Sequence, residues 1–200
     1  MMNSEHAIGN IRTKKAVLRK EMLAKRRAMS KEECDERSRM ICENFLKSSD
    51  YKNADSILLY KAYNNEVDTD MIFSRALSDG KIVAYPRSAI VGGEPDLCFY
   101  VINDLTQLKA GFMGIEEPDE KKCKVFEGKA DICIAPGVAF DRKCHRIGYG
   151  KAFYDTFITK CKPSKIIGLA YDIQISDDIE PEESDRAVDA VMTESVRYGI

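Results

Sequence analysis

DICIAPG at residues 131–137, the loop AFDRKCHRIGYGKAFYD at 139–155 and KIIGLAY at 165–171 decide the fold. The first and third are short apolar runs, the first ending in Pro-Gly, and such runs predict strands buried on both faces. Between them the paired glycines make a loop, and a helix is predicted from about Lys151. Strand, helix, strand with short connections is a βαβ unit, whose crossover is right-handed and whose strands pair in parallel.

A second unit precedes it. SILLY at 56–60 predicts a strand and EVDTDMIFSRALSDG at 66–80 a helix, capped by Asp68 or Thr69 and ended by Gly80. KIVAYP at 81–86 predicts the next strand. LCFYVI at 97–102 reads as a hairpin or edge strand, and GFMGIEEPDE at 111–120 as a turn-rich loop. At the front, KKAVLRKEMLAKRRAM (14–29) predicts an exposed basic helix with Leu18 and Met22 one turn apart. Ser30 and Glu33 form a capping box that opens a second helix to about Leu46. The expectation is one α/β domain over residues 1–200, an open and mostly parallel sheet flanked by helices, with a helical hairpin at about 12–47.

Composition limits the function. With 44% apolar residues and a net charge of −2 over 200 residues, the chain is an ordinary globular protein, and neither nucleic acid nor membrane is expected as a partner. No apolar stretch has the length of a membrane span or a signal-peptide core, so a cytoplasmic enzyme is expected. Seven scattered cysteines without a C-x-x-C pair fit reduced thiols better than disulfides or zinc.

In open α/β sheets ligands bind beyond the carboxyl ends of strands, which places a site in the loop after DICIAPG. Gly148 and Gly150 allow tight turning and close backbone approach, and the following helix offers unpaired N–H groups to an anion. Arg146 and Lys151 add charge suited to phosphate. His145 and Ala152 break the Walker A pattern and Phe153 breaks the dinucleotide fingerprint, which excludes those two phosphate motifs. With only two histidines, a catalytic ion would be magnesium held by oxygen: Asp155 together with Asp185 or Asp189 from the acidic stretch 172–189. Lys15 and Arg19 share one helix side and could reach a triphosphate. Cys144 lacks a base partner and is read as incidental.

These residues resemble the 5-formyltetrahydrofolate cyclo-ligase family. The likeness runs through KKAVLRKEMLAKRRAMS (14–30), NNEVDT (64–69), a strand ending in Pro86, GIEEP (114–118), PGVAFDRKCHRIGYGKAFYD (136–155) and GLAYDIQ (168–174). The resemblance implies a fold related to the sugar-phosphate isomerases and CoA transferases. It implies ATP-dependent cyclisation of 5-formyltetrahydrofolate to 5,10-methenyltetrahydrofolate, with Mg2+ as cofactor and reduced folate and ATP as substrates. Lys15, Arg19 and the run Arg146, Ile147, Gly148, Tyr149, Gly150, Lys151, Ala152, Phe153 and Tyr154 would bind ATP. Arg146, Lys151 and Tyr154 would act in catalysis, and Asp155 with Asp189 would hold magnesium. Glu66, Lys61, Tyr154 and Gln174 would contact the folate. The family commonly has glycine where Cys144 and Ala152 stand. Two rivals remain: a sugar-phosphate isomerase or thioester transferase that needs no ATP, and a nucleic-acid module working through the basic helix.

Overall fold

The computed structural model describes residues 2–182 and 185–199, with side chains from residue 11 onward. The chain opens with helices α1 (Met2–Ala28), α2 (Lys31–Lys47) and the short α3 (Ser49–Asn53). The capping box forms as expected, Ser30 Oγ accepting the Glu33 N–H and Glu33 accepting the Ser30 N–H. Next come β1 (Ser56–Leu58), α4 (Asp70–Ser78), β2 (Ile82–Val91) and β3 (Glu94–Val101). Three short strands, β4 (Leu108–Ala110), β5 (Glu116–Pro118) and β6 (Lys124–Val125), lead to β7 (Ile132–Ala135). The small hairpin β8 (Ala139–Phe140) and β9 (Arg146–Ile147) precedes α5 (Phe153–Cys161). β10 (Lys165–Leu169), β11 (Ala190–Met192) and β12 (Arg197–Gly199) complete the chain.

Eight strands form one sheet in the order β12-β11-β10-β7-β1-β2-β3-β6. β11, β10, β7, β1 and β2 are mutually parallel, while β12 and β3 run antiparallel to their neighbours at the two flanks. From β1 the chain moves through α4 to β2 on one side, and from β7 through α5 to β10 on the other. β1 and β7 are therefore neighbours at a topological switch point, where the connecting loops diverge and leave a crevice at the carboxyl edge.

Alternation of side chains divides the core. Ile57, Leu59, Ile132 and Ile134 meet α2 and α4 through Ile41, Phe45 and Ile72. Leu58, Cys133 and Ala135 meet α5 through Phe157 and Ile158 on the other face. Each residue of a buried parallel strand thus faces apolar packing, which is why these segments read as continuous apolar runs.

Three boundaries differ from the sequence reading. β2 runs on past Pro86 to pair with β3 as a long hairpin, because Gly92 and Gly93 both take positive φ (61° and 88°), the geometry of a tight hairpin turn. α5 starts at Phe153 rather than Lys151, since Ala152 is left-handed. α1 begins at Met2, well before the apolar stripe that starts at Leu18. The acidic stretch carries one short helical turn and is otherwise loop, with positions 183–184 outside the described residues.

Candidate active site

A cleft of about 610 Å³ opens at the carboxyl ends of β1 and β7. That volume falls within the range of small-molecule sites. One wall is the loop after β1, with Lys61, Tyr63 and Glu66; another is the glycine loop after β7, from Arg146 through Asp155. α1 closes a side with Arg12, Lys15 and Arg19, and Pro86, Leu97, Phe112 and Met113 make an apolar wall.

The glycine loop is held from both sides. Arg146 is nearly buried; its Nη2 donates to Asp155 Oδ1 at 2.8 Å and its Nη1 to the Pro136 carbonyl at 3.3 Å. Its buried Nε has no hydrogen-bond partner among the described residues. Arg19 donates through Nε to the Gly148 carbonyl at 2.8 Å. A Cβ on Gly148 would sit 3.2 Å from Arg146 Nη1, so glycine here lets the guanidinium lie against the backbone. Lys151 is exposed at the mouth, and the amino end of α5, with its unpaired N–H groups, opens on the same space.

Cys144 and Ala152, at positions where the resembling family commonly has glycine, both have positive φ, at 67° and 54°. Left-handed backbone costs an L-residue with a Cβ roughly 1 kcal/mol, which explains a preference for glycine at both. Ala152 is exposed and makes no cap hydrogen bond, so Ala152→Gly is expected to stabilise the protein by about 0.5–1 kcal/mol in urea unfolding. A glycine variant of lower stability would show that the turn is not strained. Burial pushes the Cys144 thiol pKa up, which leaves it a poor nucleophile.

Glu66 lies on the cleft wall at 8% exposure. Its Oε2 accepts the Tyr63 N–H at 3.0 Å, and the Arg26 guanidinium stands 4.0 Å from Oε1. Burial pushes its carboxyl up to about 7, against the pull of Arg26, the Tyr63 N–H and the Tyr149 hydroxyl. Tyr154 turns its hydroxyl into buried surroundings where no partner reaches it among the described residues, with its ring 5.9 Å from the Arg146 guanidinium.

With this geometry in view, the comparisons with known proteins are specific. Residues 11–194 match the 5-formyltetrahydrofolate cyclo-ligase family. The chain belongs to that family. A 5-formyltetrahydrofolate cyclo-ligase of Mus musculus is 28% identical over 194 residues, covering 92% of this chain and 95% of the other. A probable 5-formyltetrahydrofolate cyclo-ligase of Caenorhabditis elegans is 30% identical over 201 residues, covering 94% and 95%. The NMR structure of Aquifex aeolicus 5,10-methenyltetrahydrofolate synthetase superposes with a TM-score of 0.80 at 30% identity, covering 92% of each chain.

Most of the residues that carry the family resemblance converge on the cleft: Lys15, Arg19, Lys61, Glu66 and the whole run from Arg146 to Asp155. Lys61 lines it while donating to both oxygens of Asp70. Two residues do not join them. Gln174 is spent on scaffolding: its Nε2 donates to the Gly137 and Val138 carbonyls and its Oε1 accepts the Tyr171 N–H. Asp189 stands just before β11, level with Ile166 at the amino end of β10, and its Oδ2 accepts the Ile166 N–H at 2.7 Å. A strand start lies across the sheet from the cleft, so the structure does not bring Asp189 to Asp155. Asp185, the other candidate, does line the cleft, where it pairs with Lys15. His145 is bound to Asp141 at 2.8 Å, away from the lining.

Sequence reasoning passed over Arg26. It follows Met22 by one turn and Leu18 by two, so its place on the inward stripe of α1 is legible in the spacing. The run of basic residues around it hid that one guanidinium faces the interior.

Proposed function

We propose that the protein closes 5-formyltetrahydrofolate to 5,10-methenyltetrahydrofolate while ATP becomes ADP and phosphate. The observation that carries this reading is the meeting, in one cleft at the switch point, of a buried carboxylate after β1 with a cation-rich glycine loop after β7. Membership of the family and the names of its relatives support it.

The glycine loop amides, the amino end of α5, Arg146 and Lys151 hold the phosphates, and Lys15 and Arg19 approach from α1. The formyl oxygen attacks the γ-phosphorus and ADP departs. N10 then attacks the formyl carbon, phosphate leaves with the former formyl oxygen, and the N10 proton passes to water. Phosphoryl transfer depends on positioning and charge neutralisation, so no nucleophilic side chain is required. Glu66 accepts hydrogen bonds from the pterin and fixes N10 and the formyl group in line. The apolar wall at Phe112 and Met113 takes the flat aromatic portion of a ligand.

The donor set fits magnesium. Asp155 and Asp185 are hard oxygen ligands on the cleft wall, each engaging nearby donors through one oxygen and leaving the other for an ion. Bound there, Mg2+ would neutralise phosphate charge. Asp185→Asn is therefore expected to raise the KM for Mg-ATP at least about tenfold, and Asp189→Asn to leave it unchanged. The reverse ranking would return the ligand role to Asp189. All seven cysteines are free thiols, which supports placement in the reducing cytosol. Among the described residues no helix is long and apolar enough to cross a membrane.

The direct test is spectroscopic. Purified protein with 5-formyltetrahydrofolate, Mg2+ and ATP is expected to generate the methenyl absorbance with one ADP per product, and none without ATP. No product in the complete mixture would refute the reading.

A further inference from the structure

Arg26 is a wholly buried cation, with 1% of its surface exposed. Burying a guanidinium is expensive unless its donors are satisfied, and the partners it takes either line the cleft, as Glu66 and Tyr149 do, or sit beside lining residues, as Asn64 does next to Tyr63 and Gly137 next to Pro136. Nε donates to the Asn64 carbonyl at 2.8 Å and Nη1 to the Gly137 carbonyl at 3.4 Å. Nη2 donates to the Tyr149 hydroxyl, and Glu66 Oε1 stands 4.0 Å from Nη1. The Arg26 carbonyl in turn accepts from Asn65 Nδ2 at 3.2 Å.

These contacts bind three separate segments. Asn64 and Asn65 both have positive φ, at 51° and 57°, a strained pair that aims Glu66 into the cleft. Gly137 lies two residues past the end of β7, in the link to β8. Tyr149 lies in the middle of the glycine loop, its ring 6.4 Å from that of Tyr63. Arg26 itself does not line the cleft, so it acts on a ligand through Glu66 and Tyr149.

We propose that Arg26 is the positioning residue that locks the folate carboxylate and the nucleotide loop into one arrangement, through its fork on Asn64, Gly137 and Tyr149 and its charge beside Glu66. This rests on the assignment of Glu66 to folate binding. The ionisable groups facing Glu66 are Arg26 from α1, Tyr149 from the glycine loop, Tyr60 at the end of the β1 segment and Tyr154 on α5. Arg26 is the cation of the set. Its removal leaves the carboxylate ionising at higher pH, while a merely structural loss would lower stability without moving that titration.

The experiment compares the pH dependence of the folate KM in wild type, Arg26→Met, Arg26→Lys and Glu66→Gln, each confirmed folded by circular dichroism. In wild type the folate KM is expected to rise on the acid side, and Glu66→Gln to abolish that rise. Arg26→Met is expected to shift the acid limb to higher pH and to raise the KM at least about tenfold. Arg26→Lys keeps the limb near the wild-type position while still raising KM, because one ammonium cannot reproduce the fork. An acid limb unmoved in folded Arg26→Met would overturn the proposal. Should Arg26→Met not fold, a wild-type folate KM in Arg26→Lys would overturn it instead. If Glu66→Gln leaves the acid limb intact, the failure lies with the folate role of Glu66, a separate result.

Discussion

Arg146→Ala is expected to lose about a thousandfold or more in kcat/KM for ATP, the magnitude typical of removing a preorganised cation from phosphoryl transfer. Three observations support so large a value. The guanidinium is nearly buried, it is already oriented by Asp155 and the Pro136 carbonyl, and its buried Nε has no partner among the described residues. A cation held in this way stabilises developing phosphate charge without reorganising. The loss should fall on turnover more than on folding, because Asp155, half-buried, still receives the Arg186 N–H at 3.2 Å. Steady-state kinetics beside thermal unfolding checks this: activity within a few-fold of wild type would contradict the role of Arg146. Arg146→Lys is expected to recover little, since a single ammonium cannot span the fork.

The second large effect concerns Glu66. Glu66→Ala is expected to raise the folate KM about a hundredfold with a smaller change in kcat, the loss of charge-assisted hydrogen bonds made in both ground and transition states. A KM unaltered by the substitution would remove Glu66 from the substrate wall. The same residue predicts a pH signature of stability. In the folded chain its carboxyl keeps a proton up to about 7, while unfolded it releases it near the ordinary 4.5. Between those values the folded state binds more protons. Its contribution to stability is therefore complete below the unfolded value and is lost as pH rises through the folded one. The loss is about 3 kcal/mol. Urea unfolding of wild type against Glu66→Gln across this window should show wild type losing stability relative to the variant as pH rises; parallel profiles would contradict the shift.

How much was legible in the sequence follows from physical scale. The two βαβ units announce themselves through apolar runs and turn residues, which are local properties, and the crossover rule then orders β1, β2, β7 and β10. The glycine loop was legible for the same reason: Gly148, Gly150, Arg146 and Lys151 are neighbours in the chain. Asp189 and Gln174 show the limit. A carboxylate that caps a strand and one that faces a cleft look alike in a sequence, and only the register of β10 against β11 decides which end Asp189 occupies. Gln174 turns its amide to the Gly137 and Val138 carbonyls because the turn after β10 lies against the link between β7 and β8, a contact between distant segments. Arg26 lay hidden for the opposite reason. Its spacing was visible, but charge in a basic helix is ordinarily solvated, and the carbonyls that receive it come from residues 64 and 137.

A crystal structure with a non-hydrolysable ATP analogue and Mg2+ would show where the nucleotide sits. The triphosphate is expected against the backbone of Gly148 to Lys151, within hydrogen-bonding distance of Arg146, with the ion on Asp155. A nucleotide bound elsewhere, with this cleft empty, would contradict it.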